Sequence, residues 1–254
     1  MSRRAQSETI GFVLIFALIV STTGVVYVAG FSSLEDARTA EELSNVERAF
    51  DVLDDNMYDI SHRGAPSRAT ELSLGNGGVA FGATTNITVR ATNTSDPLDN
   101  RTVSIETRPI VYQLDDTSIA YSSGTTIRRD RSDAIVLSDP GWTVSDRRTI
   151  IPLLGVSQDS STGRLGGDTT ILLRAQRDSR SVPVRMAPTS GARVNVTVTV
   201  ESERADAWKR LLERRGFTAV SPAGADPTDG VVVYEFETDA LYLQQTTVGV
   251  TLSE

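Results

Sequence analysis

Cysteine is absent from the 254 residues, so neither a disulfide nor a thiolate metal ligand can form. Histidine occurs once, at His62. That excludes a metal site with two imidazoles and leaves any Ser-His-Asp arrangement dependent on a single ring at the end of a helical stretch, where a histidine is ordinary helix-end chemistry. Lysine also occurs once, at Lys209, so 24 of the 25 basic residues are arginine. No serine sits in Gly-x-Ser-x-Gly, and no glycine run fits G-x-x-x-x-G-K-[ST] or G-x-G-x-x-G. The Gly75 to Gly82 stretch is a turn cluster without the lysine a phosphate site would use. The doublets Asp54-Asp55 and Asp115-Asp116, and the turn Asp226-Pro227-Thr228-Asp229-Gly230, lack the density of oxygen ligands of a dedicated cation loop. They read as solvated turns. No catalytic residue, metal ligand or cofactor is expected.

Charge is missing over one long stretch. Nothing from Thr9 to Leu34 is ionisable by an Asp, Glu, Lys or Arg side chain. Within it, Ile10 to Phe31 is almost wholly apolar, and about 20 helical residues suffice to cross a bilayer. Its 13 Leu, Ile, Phe and Val residues favour insertion by about 4–8 kcal/mol; Ser21, Thr22, Thr23 and Gly24 erode part of that. The lipid bilayer is therefore the first expected partner. Arg3 and Arg4 precede the span, while Glu35 and Asp36 follow it. The positive-inside rule then keeps the N-terminus in the cytoplasm and exports everything after about residue 32.

An ordinary cleaved secretory signal is one alternative, with Val28-Ala29-Gly30 as its cutting site, but the apolar run exceeds the usual 7–15 residues or so. An uncleaved single-pass anchor is another. A third reading rests on where the charge lies. Arg3 and Arg4 end at the small residue Ala5, and the polar step Gln6-Ser7-Glu8 comes before the apolar run. That order resembles the class III signal peptides of archaeal type IV pilins and archaellins. The resemblance implies a cut between Ala5 and Gln6 by a prepilin peptidase on the cytoplasmic face, retention of the apolar helix, and contacts with other pilin-like subunits. It covers about the first 35 residues. In many pilins a glutamate at the fifth mature position pairs with a neighbour's terminal amine; here Glu8 would be the third and Ile10 the fifth. The chain as a whole resembles haloarchaeal membrane-anchored surface proteins that carry this motif.

Composition is consistent with that resemblance. Only Arg3, Arg4 and Glu8 are charged before Phe31, which leaves 23 basic and 32 acidic residues beyond it. Few lysines and an acidic surface suit a halophilic setting, and a GC-rich genome alone also replaces lysine by arginine. The acidity argues against a nucleic-acid partner, which needs a basic patch to neutralise phosphates.

Beyond the span, Leu34 to His62 holds no glycine or proline. Leu43, Val46, Phe50, Leu53, Met57 and Ile60 fall on one helical face, with Glu41, Glu42, Glu47, Arg48, Asp51, Asp54 and Asp55 elsewhere on the cylinder. The stripe predicts a stalk helix packed on its own β head; a coiled coil with another copy would need more heptads. A helix unbroken over residues 6–62 would extend about 85 Å, with Gly24, Gly30 and Ser32-Ser33 as places for a bend. Arg63-Gly64-Ala65-Pro66-Ser67 ends it.

The remainder, 68–254, reads as strands. Glu71 to Leu74 and Val79 to Phe81 suggest a hairpin around Asn76-Gly77. Further strands are expected at 86–90, 102–106, 110–114, 118–121, 134–137, 149–154, 169–175, 193–201, 231–237 and 246–252. Gln158 to Asp168, rich in Ser and Gly, is the best internal boundary. One helix interrupts them: Ser202 as N-cap of residues 203–215, Gly216 as C-cap, and Trp208 anchoring the helix on a sheet with its N–H on a local acceptor.

Asn86, Asn93, Asn100 and Asn195 each begin an N-x-S/T sequon. Four of the seven asparagines do so, although Ser and Thr make up only about a fifth of the chain. Such sites need exposure outside the cytoplasm. The fold expected is α+β, a putting-together of a leader (1–5), a membrane and stalk helix (6–62) and an extracellular, mainly antiparallel β head (68–254) with one short helix. The function expected is a non-enzymatic, pilin-like membrane-anchored surface protein. A stand-alone anchored adhesion or envelope domain and an exported enzyme are the alternatives.

Overall fold

The computed structural model describes residues 3–131, 133–159, 163–189, 191–221, 224 and 226–254, with side chains in the first helix from Gly11 onward. The side chains of the expected leader motif, Arg3, Arg4, Ala5, Gln6, Ser7 and Glu8, lie outside the described set. The chain divides into two compact units, residues 1–45 and 46–254.

The first unit is helical. Helix α1 (Arg3–Tyr58) begins in it and is continuous through Gly24, Gly30 and Ser32-Ser33. Three of its hydroxyls bond back to the preceding turn: Thr22 Oγ1 donates to Leu18 O at 2.9 Å, Ser32 Oγ to Val28 O at 2.7 Å and Ser33 Oγ to Ala29 O at 2.9 Å. Back-bonding of this kind removes the need for water at these side chains.

The second unit opens with the remainder of α1, followed by a π turn, Asp59–Arg63. Gly64, at φ +84°, accommodates the left-handed cap that other residues adopt at a cost. Val46, Phe50, Leu53, Met57 and Ile60 are no more than 2% exposed, and Leu43 in the first unit is 8% exposed. Polar ties fix this stretch within its unit. Asn56 Nδ2 donates to Ala69 O at 3.2 Å and Thr70 Oγ1 at 2.9 Å, and Glu47 pairs with Arg128 at 2.7 Å.

The fold is α+β and mainly antiparallel, in three sheets. The first orders β1 (Ser67–Ser73), β11 (Thr170–Met186), β15 (Leu241–Ser253) and β9 (Thr149–Gln158). The β15–β9 pairing, from Leu241↔Thr149 to Val250↔Gln158, is the one parallel ladder among the described strands. The second orders β10 (Leu165–Gly166), β2 (Gly78–Phe81), β5 (Ile110–Leu114), β6 (Thr117–Ser122), β7 (Thr125–Asp130) and β8 (Asp133–Ser138). The third orders β13 (Thr218–Ala219), β14 (Val231–Thr238), β12 (Val194–Glu201), β3 (Thr85–Asn93) and β4 (Asp96–Thr107). Helix α2 (Ala205–Arg214) follows β12.

Strand alternation builds the core. Ile87, Val89 and Ala91 of β3 and Val194, Val196, Val198 and Val200 of β12 are fully buried on one face, as period-2 geometry requires. They join Ile151 and Leu153 of β9, Leu241 and Leu243 of β15, and Ala207, Trp208, Leu211 and Leu212 of α2 in one apolar cluster. Trp142, Phe217 and Phe236 extend it, with the Trp142 and Trp208 rings 6.3 Å apart.

Several expectations need correcting. The turn at Gly75–Gly77 exists, with Gly77 N–H donating to Leu74 O at 2.9 Å, but it does not make a hairpin. β1 pairs with β11 and β2 with β5, in different sheets. Tyr112 Oη also donates to Leu74 O at 2.9 Å, so the turn is clamped from the side and its two strands part. β3 and β4 are joined through Thr94 and Ser95, and Pro97 to Asp99 form a bulge between the pairs Thr92↔Asn100 and Asn93↔Asp96. The Ser/Gly-rich Gln158 to Asp168 stretch, of which residues 160–162 lie outside the described set, does not divide the β region, which is one compact unit.

At α2, Ser202 Oγ accepts from Arg204 N at 3.1 Å. It closes a turn before the helix, which starts at Ala205. The C-terminus fits its reading: Gly216 at φ +83° lets its own N–H reach Glu213 O and the Phe217 N–H reach Leu212 O, at 3.1 and 3.0 Å. That is a Schellman closure. Trp208 is 1% exposed, but its Nε1 meets no acceptor among the described residues.

Candidate functional site

The first candidate is the apolar surface of the first unit. From Phe12 to Leu34 the large apolar side chains are between 51% and 71% exposed, the extremes being Leu34 and Val26. An 18-residue window of this helix has mean hydropathy 2.4, and none of it is buried. Exposure of that much contiguous apolar surface marks an interaction surface in a water-soluble context or a membrane span. The helix is long and apolar enough to cross a membrane.

The second candidate is a small cavity of about 40 Å³ in the second unit, where Asp54, Tyr58, Ser61 and His62 face Tyr121, Ser123 and Leu154. Its size suits about one or two water molecules. Burial pushes the Asp54 carboxyl up to about 6, against a hydrogen bond from Ser138 that favours its charge; Asp55 and Asp51 add to the rise. Tyr121 is pushed up by burial and by the Asp54 charge. Asp54 is therefore not one of the off-face acids. The sequence carried the signal, since position 54 lies four residues after Phe50 and three before Met57, at the border of the stripe.

His62 was expected as helix-end chemistry, where a cation is favoured. Burial instead lowers its pKa, aided by the Arg180 and Arg63 charges and opposed by a backbone bond at Tyr58. Its ring stacks on Tyr58 with centroids 4.0 Å apart, and Nδ1 lies 2.8 Å from Ser61 Oγ. Ser61 Oγ donates to Met57 O at 2.8 Å. The pair completes the last helical turn.

The sequons separate into two classes. Asn86 Nδ2 donates to Glu201 Oε2 at 3.2 Å and Asn195 Nδ2 to Glu235 Oε2 at 3.1 Å. Both asparagines lie on the polar face of the third sheet, opposite the buried valines. Asn100 Nδ2 donates to Pro97 O and Leu98 O at 3.1 and 3.3 Å. At Asn93 it is the oxygen that is engaged, accepting from Ser95 N at 3.0 Å beside the hairpin turn.

The acidic turns are occupied locally. Asp226 Oδ1 accepts from Thr228 N at 3.0 Å and Asp229 Oδ1 from Val231 N at 3.1 Å. Asp116 pairs with Arg131 at 3.3 Å. Among the described residues no group of three or more His, Cys, Asp or Glu side chains is placed to hold a metal ion.

Among curated proteins and among solved structures, nothing matches this chain. The family model that does match, over residues 4–251, is described as a family of unknown function (DUF7289). It takes in the apolar helix together with the β region, and the chain belongs to that family.

Proposed function

We propose that this is a membrane-anchored surface protein with its N-terminus in the cytoplasm and its β head outside, a pilin-like subunit without enzymatic activity. The observation that carries the reading is the apolar helix. Its side chains from Phe12 to Leu34 stand exposed, and a bilayer is the environment in which that surface is stable. Orientation follows from Arg3 and Arg4 ahead of the span and Glu35 and Asp36 behind it. Removal of residues 1–5 by a prepilin peptidase would leave Gln6 as the mature N-terminus and the helix as the anchoring or assembling element. The setting that fits the arginine-rich, acidic composition is an archaeal, halophilic one, with the head carrying N-linked glycans.

Mass spectrometry of the protein from its native membranes tests this reading. It expects a carbonate-resistant membrane protein whose first residue is Gln6. A first residue at Met1 or Ser2 replaces the pilin-like reading by an uncleaved anchor. One near Phe31, in a protein recovered from the medium, overturns the anchored state.

A further inference from the structure

One buried charge in the second unit lacks a counterion. Arg204, the N-cap of α2, is 8% exposed, and its Nε is buried without a hydrogen-bond partner. Among the described residues it makes no ion pair. Burial opposes its charge most and Arg129 of β7 next, while Glu203 and Asp206 favour it less; Arg129 reaches the first turn of α2 through its pair with Asp206. The Nε of Arg129 is likewise buried without a partner. Asp206 cannot serve Arg204 fully because its two oxygens are engaged elsewhere. Oδ1 lies 2.7 Å from Arg129 Nη2, and Oδ2 lies 2.9 Å from Arg210 Nη2. Arg210 is further held by the Ala134 carbonyl.

Removing a guanidinium from water without a partner is strongly unfavourable. Arg204 is in that position, and Arg129, tied to the first turn of the same helix through Asp206, keeps a second buried Nε–H without a partner. A guanidinium offers a planar fork that matches an oxyanion, and the N-terminal end of the ten-residue α2 adds a favourable field. We propose that Arg129 and Arg204 form a binding site for a small oxyanion, of the phosphate or sulfate type, at the start of α2. The slight exposure of Arg204 gives the ion its access from solvent. Glu203 and Asp206 keep the site's excess positive charge small, which fits a weak ligand present in abundance. This site is independent of the membrane reading.

Trp208 sits one turn along α2 from Arg204, so tryptophan fluorescence reports on this end of the helix. The experiment is thermal unfolding of the full chain in detergent, with sodium sulfate against sodium chloride at matched ionic strength. Sulfate should raise the Tm by at least about 2–4 °C, saturably. Arg204→Met should abolish that increment, and in chloride it should melt no lower than the wild-type chain because an unpaired buried charge has gone. Arg129→Gln should also lose the increment. An equal sulfate increment in the wild type and both variants overturns the site. An Arg204→Met chain that fails to fold, or melts well below wild type in chloride, shows that Arg204 is already paired within the protein and overturns it equally.

Discussion

Asp54 is a largely buried acid whose ionisation is linked to folding. Its pKa is raised, to about 6, mainly by burial, so the folded chain holds the proton more tightly than the unfolded chain does. Its contribution is therefore favourable below the ordinary carboxylate value near 4 and is lost as pH rises to about 6. Above that, the buried charge costs about 3 kcal/mol. Asp54→Asn should stabilise the head by about 1–2 kcal/mol at pH 7.5 and by little at pH 4. Urea unfolding of the full chain in detergent at the two pH values checks this; an equal loss of stability at both contradicts it. The four sequons also differ residue by residue. Asn93 alone among them has no described bond at Nδ2, the atom a glycan would occupy, whereas glycans on Asn86 or Asn195 must break a link to Glu201 or Glu235. Glycopeptide mapping from the native host should find Asn93 modified first. An occupied Asn195 beside an unmodified Asn93 reverses that order. The alternation that placed Asn86 and Asn195 on the polar face was legible in the sequence; the cross-strand carboxylates were not, because they come from strands over 30 residues away.

At the scale of elements, what could be read depended on how local the signal was. The stripe from Leu43 to Ile60 and the Gly216 closure of α2 are set by neighbours within a turn or two. Phe50→Asp should remove the head's cooperative melt: the lost ring alone costs about 3–5 kcal/mol, and the new carboxylate has no partner. Val52→Asp, at a site 52% exposed on the same helix, should change stability by only about 0.5 kcal/mol. Circular dichroism melts of the two full-length variants decide it; matching melts would mean the stripe bears no load. Partner choice between strands was not local and was misread. Gly75–Gly77 looked like a hairpin because its turn chemistry is genuine, yet β1 finds β11 about 100 residues on. β7 went unseen because Arg128, Arg129 and Asp130 break the apolar alternation; Arg128 pairs with Glu47 and Asp130, and Arg129 with Asp206.

At the scale of the whole molecule, the division is chemical. The first unit carries an apolar helical stretch free of charge from Thr9 to Leu34, and the second is a mainly β unit in which acidic residues outnumber basic ones. The α+β class and the apolar span were both readable, since each rests on composition and period alone. Cavities and unpaired charges such as those at Asp54 and Arg204 were not, since they depend on which distant segments meet. In the proposed topology the helix spans the membrane and the head stands outside. External protease added to intact cells of the native host tests it most directly, followed by immunoblotting with an antibody to the head and a cytoplasmic protein as control. With the head outside, the full-length band is lost while the control survives. Survival of the head in intact cells, with digestion only after lysis, would contradict it.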